Sequence, residues 1–434
     1  MIDRRMFLAG AAAATLAPAS GHAADPDVVV VGAGAAGLAA AHALKDAGRK
    51  PLVLEARDRL GGRAYTDRSL GPVYDAGAMY IHWAERNPWV EIARQLGVAT
   101  AAEPWGGGFR VYADGRPMPA TDRLKRRGVF GEISKRLDGM NARTPDRSIL
   151  DLLADLGPDM QSVAASGLLL SIGEESARIS ARDYQRLWAG EDLIVPSGYG
   201  DLVARSAAGL DIRINEPVSG IDWSGAGVTV TTRSGAIRAK ACIVTVPLGV
   251  LQAEAIRFTP VLPATTRDAM GGMGMGALTK LALRVEGGRF GIEAGASLLE
   301  AGSPGALMNF DMFPGDQDLV IAYCGGEQAR DLSKAGLDAA REQVVDLLAR
   351  MLGGDIRKAV TGASFPAWWT DPWSRGSYSV CRPGHAGDRE ALARPIGERI
   401  WLAGEATAGG GAMTVGGATL AGRAAAAALL RLKA

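Results

Sequence analysis

Gly32, Gly34 and Gly37 stand in the run Gly32-Ala33-Gly34-Ala35-Ala36-Gly37, directly after Asp27-Val28-Val29-Val30-Val31. Glycines at that spacing permit a tight turn, close approach of a pyrophosphate to the backbone, and close packing of a helix on a strand. Unpaired amides of the helix's first turn then face the anion. Glu55 follows about 20 residues later, where a carboxylate takes ribose hydroxyls. The β-branched run suits a strand buried on both faces, residues 38–47 suit a helix that Gly48 stops, and residues 51–55 suit a second parallel strand. Together they predict a βαβ unit that binds a dinucleotide, and they do not by themselves separate NAD from FAD.

Other residues with chemical potential are less patterned. Alternation in Ala277-Leu278-Thr279-Lys280-Leu281-Ala282-Leu283-Arg284-Val285 puts Lys280 and Arg284 on one strand face, which spacing alone reads as solvated. Four histidines and the distant Cys242, Cys324 and Cys381 offer neither metal-ligand spacing nor a disulfide framework, so no metal site is expected. Cys242 lies in an apolar run and reads as core.

The elements that must position these residues are spread over 434 residues, more than one hydrophobic core usually spans, so two domains are expected. Lys and Arg number 48 against 47 Asp and Glu, a balance that suggests neither a nucleic-acid nor a membrane-surface partner. Strands are expected over about 212–251, with a hairpin at Val228–Gly235, and again over 268–285 and 296–323. Helices are expected within 120–190 and 332–352. A Gly-rich loop over 407–419 precedes an Ala-rich helix from Leu420 to Leu432, suited to close packing on the first helix.

The first 24 residues read as an export signal, outside the fold. Asp3-Arg4-Arg5-Met6-Phe7-Leu8 resembles the twin-arginine type, and Gly21-His22-Ala23 offers small residues for cleavage. The apolar stretch from Met6 to Ala17 is shorter than the roughly 20 residues of a membrane span, so no stable membrane insertion is expected. The resemblance implies a periplasmic location and an encounter with the export machinery.

The run Glu55-Ala56-Arg57-Asp58-Arg59-Leu60-Gly61-Gly62-Arg63-Ala64-Tyr65-Thr66 resembles the second motif of the flavin amine oxidases, the family of monoamine oxidases, polyamine oxidases and histone lysine demethylases. Similarity continues in residues 75–83, in Thr245-Val246-Pro247-Leu248-Gly249-Val250-Leu251, around Lys280, in residues 368–379 and in Leu402-Ala403-Gly404-Glu405-Ala406-Thr407. The resemblance implies FAD as cofactor and an α/β fold: a doubly wound, Rossmann-like FAD domain with a discontinuous α+β substrate domain. The expected division gives 25–80, 191–262 and 360–434 to FAD, and 81–190 and 263–359 to substrate.

The same resemblance implies roles. Gly32, Gly34, Ala36, Gly37 and Gly62 lie along the diphosphate, Glu55 at the adenosine ribose, and Arg57 and Arg63 against phosphates and flavin. Met79, Tyr80 and Trp368 border the flavin, the Val218 backbone the adenine, Glu405 the ribityl–diphosphate region, and Thr414 with Val415 the underside of the ring. Lys280 becomes the catalytic candidate, a lysine that holds water against the flavin. The expected reaction is oxidation of a small-molecule amine to an imine, with dioxygen or a periplasmic carrier accepting the electrons. Amino-acid oxidation, desaturation, or electron transfer without oxidase activity are the alternatives on this fold.

The chain departs from the family at the two aromatic positions flanking the substrate, which align with Val380 and Thr414. Trp83, Trp105, Trp369 or Trp373 are the candidates to shape the cavity instead. His82 reads equally as a cavity group or a satisfied turn histidine, and Tyr378 equally as a cavity or a core ring. The cysteine that carries FAD in monoamine oxidases aligns with Ser379, and Cys381 lies two residues beyond it. Non-covalent FAD is therefore expected.

Overall fold

Four consecutive valines make β1, Val28–Val31, and all four are buried. Helix α1, Ala35–Asp46, crosses back to β2, Pro51–Leu54, also buried throughout. These strands pair in parallel within a five-stranded sheet, in the order Asp211–Arg213, β2, β1, Ala241–Val244, Ile400–Leu402. Burial on both faces explains why their sequences are continuous apolar runs and not alternating ones. The structure is a computed structural model that describes residues 25–102, 108–141, 143–302 and 307–432. The expected export segment and Trp105 lie outside the described residues.

The helix Val415–Leu432 packs along α1. A side chain at Gly422 would begin 2.0 Å from the Ala36 carbonyl oxygen, so glycine there sets the distance between the two helices. This helix starts five residues before the expected Leu420. Gly416 and Gly417 read as loop residues, yet they are helical because neighbours lie where side chains would go. A Cβ on Gly417 would fall 1.8 Å from the Gly411 carbonyl oxygen, and one on Gly416 would fall 2.5 Å from Asn87 Nδ2.

A second, seven-stranded mixed sheet runs in the order Val360–Ser364, Leu278–Val285, Leu319–Gly325, Met308–Met312, Ala296–Glu300, Phe109–Ala113, Arg116–Pro117. One face packs on the helices Gly326–Ala335 and Leu337–Leu352 through a core that includes Leu283, Phe310 and Leu348. The strand Val360–Ser364 pairs with Leu278–Val285 and so belongs to this sheet, although the expected division assigned it to the FAD side. The helices Ala120–Asp138, Pro158–Ile172 and Ala181–Arg186 fill the expected helical stretch. Residues 268–271, expected as strand, instead end the helix Ala264–Gly271. Pro263 fixes the start of that helix, and extended backbone resumes only at Met273–Met275.

Candidate active site

One cavity of about 570 Å³ is bounded by residues from the nucleotide-type sheet, the seven-stranded sheet and the start of the C-terminal helix. Two glycine turns form its floor. Gly32 has φ +103° and Gly61 φ +92°, values that favour glycine. Gly61 N–H donates to the Ala33 carbonyl at 3.0 Å, and a Cβ on Gly62 would lie 3.5 Å from Gly34 Cα. A Cβ on Gly34 itself would meet nothing nearer than 4.0 Å. The space above this floor is therefore bounded by backbone. The N-cap of α1 is Gly34, with no side-chain cap and no acidic residue in the first turn. Its amides are left for an anion. Ala36 lines this wall, whereas Gly37 does not: a Cβ on Gly37 would sit 1.9 Å from the Gly32 carbonyl oxygen, so its part is helix–turn packing.

Glu55, at the end of β2, is buried, and its carboxylate accepts from Ala33 N at 2.8 Å and Arg57 N at 2.9 Å. Val218 lines the same end. Arg57 also lines the cavity, but its guanidinium is held by Asp371 at 2.9 and 2.6 Å and by Ser374 Oγ at 2.9 Å. Its charge is thus matched by a carboxylate. Arg63 donates to the Ser377 carbonyl at 2.7 Å and to Glu405 at 3.1 Å.

Glu405 is the hub of a buried chain. It accepts from Ser379 N and Oγ and from Met413 N. Arg389, 1% exposed, donates to Ser379 Oγ at 2.6 Å and makes a two-point contact with Asp183 at 2.8 Å on each side. Ser379 is thereby turned away from the cavity. Trp368 Nε1 donates to the Ala76 carbonyl at 3.0 Å, fixing the ring against the wall beside Met79 and Tyr80. Thr414 and Val415 line the cavity too, and Thr414 Oγ1 accepts from Gly417 N at 3.0 Å, as an N-cap does.

Lys280 is not on a solvated face. Its Nζ donates to the carbonyls of Asp75 and Gly77, both at 2.9 Å, and it lines the cavity. Arg284, on the same face, turns instead to Glu286 and the Leu70 carbonyl. The two alternate correctly, but only Lys280 lies where the chain around Asp75 crosses the sheet.

The expected substrate positions divide. His82 lines the cavity, with Nδ1 3.0 Å from Asp192 in a half-exposed pair. Val380 does not line it. That side chain is buried with Val129, Leu168 and Ile172 in a helical core, because Ser379 and Cys381 take the other face of the short strand Ser379–Cys381. Trp83 is buried outside the lining and Trp369 packs beneath Arg330, while Trp373 does line the cavity. Tyr378 is a cavity residue whose hydroxyl donates to the Ser171 carbonyl at 2.8 Å; burial and the nearby Glu405 push its pKa upward.

Trp188, Leu170, Leu187 and Tyr323 line the cavity and carried no signal in the sequence. Trp188 stands edge-on to Trp83 at 5.1 Å and fits against Gly410, where a Cβ would fall 2.2 Å from its Nε1. The glycines of 409–411 were the available hint. The three cysteines are buried and outside the lining, and burial pushes the Cys324 thiol up to about 12. Among the described residues no cluster could hold a metal ion, and no helix is long and apolar enough to cross a membrane.

A backbone floor at a helix start, a buried acid at the end of the second strand and a deep apolar cavity define a dinucleotide-binding oxidoreductase fold. Residues 35–430 match the family described as flavin containing amine oxidoreductase, and the chain belongs to that family. It is 30% identical over 436 residues to polyamine oxidase 4 of Oryza sativa subsp. japonica, covering 93% of this chain and 88% of that one. It is 28% identical over 436 residues to lysine-specific histone demethylase 1B of Mus musculus, covering 92% of this chain; the chain spans about half (52%) of that protein's length. Among solved structures it is similar to cyclohexylamine oxidase from Brevibacterium oxydans IH-35A, with TM-score 0.79 and 22% identity over 94% of this chain and 100% of that one. It is likewise similar to putrescine oxidase bound to putrescine, with TM-score 0.77 and 23% identity over 94% and 99%. The family implies FAD, and the backbone floor, uncapped α1 and Glu55 suit its diphosphate and ribose.

Gly34→Val tests the floor directly. The branched side chain fills the space between the glycine turns, so FAD retention should fall at least about tenfold, or about 1.4 kcal/mol, while the stripped protein keeps its melting temperature within a few degrees. Undiminished flavin absorbance per polypeptide would rule this floor out as the diphosphate site.

Proposed function

We propose that this chain oxidises an amine to an imine, which water then hydrolyses to an aldehyde or ketone. The observation that carries the proposal is Lys280 fixed between the Asp75 and Gly77 carbonyls in the wall of a cavity whose other end is a dinucleotide cradle. Gly32, Gly34, Ala36 and Gly62 hold the FAD diphosphate, Glu55 the ribose, Val218 the adenine end, and Arg63 with Glu405 the middle of the cofactor. Met79, Tyr80, Trp368, Thr414 and Val415 border the flavin. Bound FAD supplies the hydride acceptor, with dioxygen or a periplasmic electron carrier taking the electrons onward.

The chain's own contribution is orientation, exclusion of water and proton handling. Leu170, Leu187, Trp188, Tyr378 and Met413 offer apolar surface for a hydrocarbon arm. Such a surface disfavours an ammonium over a neutral amine, and only the neutral form has the lone pair that stabilises a developing iminium. Lys280 holds a water in the cavity wall and assists proton transfer. The two solved relatives named for putrescine and cyclohexylamine support an amine as substrate. Against amino-acid oxidation, both arginines that line the described cavity, Arg57 and Arg63, are already matched with carboxylates.

We further propose that FAD is held non-covalently, since Ser379 is bound to Glu405 and Arg389 and the cysteines lie elsewhere. Export to the periplasm rests on the Arg4-Arg5 pair and the apolar stretch after it.

Anaerobic mixing with primary, secondary and cyclic amines should bleach the flavin with at least one, and Lys280→Met should slow reduction or reoxidation by about tenfold or more. No bleaching by any amine would reject the activity, and unchanged half-reactions in Lys280→Met would reject that residue's role. Acid precipitation should release intact FAD into the supernatant; flavin retained on the pellet would mean a covalent link. Replacing Arg4 and Arg5 with Lys should hold the protein in the cytoplasm, and normal periplasmic accumulation of that variant would contradict twin-arginine export.

A further inference from the structure

The face of the seven-stranded sheet that carries Lys280 also carries an unusual polar row. Register places Lys280 opposite Tyr323, Tyr323 opposite Asn309, and Ser297 opposite Asp311. Cross-strand partners and residues two apart on a strand share a face, so these five side chains line up across four strands. Lys280 and Tyr323 line the cavity, while Asn309, Asp311 and Ser297 are all buried behind them. Ser297 Oγ donates to Asn309 Oδ1 and Asn309 Nδ2 donates to Asp311 Oδ1, each at 3.1 Å. The Tyr323 hydroxyl bonds to the Asp311 carboxylate.

A buried carboxylate in a β-sheet is costly unless it has a task or full compensation. The neighbours acting on Asp311 are Lys280 by charge and Asn309 and Tyr323 by hydrogen bonds, and all three favour the ionised form. Ile321, opposite it on the tyrosine strand, is apolar. Burial nevertheless wins and lifts the Asp311 carboxyl to about 6. The group is thus poised to change its protonation near neutral pH, one hydrogen bond behind the cavity wall.

We propose that Asp311 accepts the substrate's proton through Tyr323, a step that rests on the amine-oxidase reading above. The arriving ammonium gives an N–H proton to the Tyr323 oxygen as the tyrosine O–H proton passes to Asp311. One N–H bond breaks, one carboxyl O–H bond forms, and the tyrosine is regenerated. A cation and an anion become a neutral amine and a neutral acid, an exchange that an apolar cavity favours. The proton returns to water between turnovers. Tyr323 touches the substrate, and Asp311 acts through it.

Asp311→Asn preserves size and the bond from Asn309 while removing the base. In the wild-type protein the second-order rate of anaerobic flavin reduction should rise through an ascending limb near pH 6 and then level. In Asp311→Asn it should keep climbing tenfold per pH unit toward the amine's own pKa, leaving reduction at pH 7 lower by about 100-fold. Tyr323→Phe should show the same steepened profile, which covers the case of a poorly folding Asp311 variant.

Stability gives a readout independent of activity. Asp311 has a raised pKa when folded, so the wild-type protein loses stability relative to Asp311→Asn as pH rises from the ordinary carboxyl value of about 3.8 through about 6. The variant's melting temperature should therefore move upward relative to wild type across that window and stay offset above it. Wild-type reduction by an amine with superimposable pH profiles in both variants would overturn the proton role alone. Failure of every amine to reduce the wild-type flavin would overturn the amine-oxidase reading and this proposal together.

Discussion

The whole arrangement depends on close approach of backbone to backbone at the start of α1. Gly37 lets the helix rest on the Gly32 turn, and Gly422 lets the C-terminal helix rest on Ala36. Any side chain at either position would push an element outward by more than the contact tolerates. With the two helices seated, Gly34 from the start of α1 and Thr414–Val415 from the start of the C-terminal helix line one cavity. Residues nearly 400 positions apart in sequence are thereby made neighbours through glycine, since no side chain can occupy those gaps.

A second constraint is ionic. Asp183, Arg389, Ser379, Glu405 and Arg63 form a continuous hydrogen-bonded chain from the helix Ala181–Arg186 to the cavity wall. Arg389, Asp183 and Glu405 are buried, so each charge relies on its neighbours. The chain explains why a serine at position 379 faces a carboxylate and not the cavity. It also joins the helical region to the cradle without borrowing Lys280, which is held separately by two carbonyls.

Much of the cradle was legible in the sequence because its chemistry is local. The glycine turn, Glu55 at the end of β2 and the Gly61-Gly62-Arg63 run are each fixed within a few residues, and the structure gathers them at one end of the cavity. Lys280 was ambiguous by spacing, since alternation cannot say what lies across the sheet; the family motif resolved its place. Val380 failed for a related reason. A three-residue strand gives no pattern to set its facing, and its buried pairing with Met273–Met275 turned it toward the helical core. Trp188 and Tyr323 were invisible because their positions come from contacts with Gly410 and Lys280, far away in sequence. Gly416 and Gly417 misled in the opposite direction, looking like loop when close packing made them helix.

The N-terminal glycine turn and the C-terminal helix start are proposed to close on a single FAD. Titration of FAD into stripped, full-length protein, followed by quenching of flavin fluorescence, tests it most directly. A sharp end-point at one FAD per chain, with FMN failing to compete because it lacks the adenosine end proposed for Glu55 and Val218, is the expected result. Colourless protein that quenches neither nucleotide, or binds FMN as well as FAD, would contradict it.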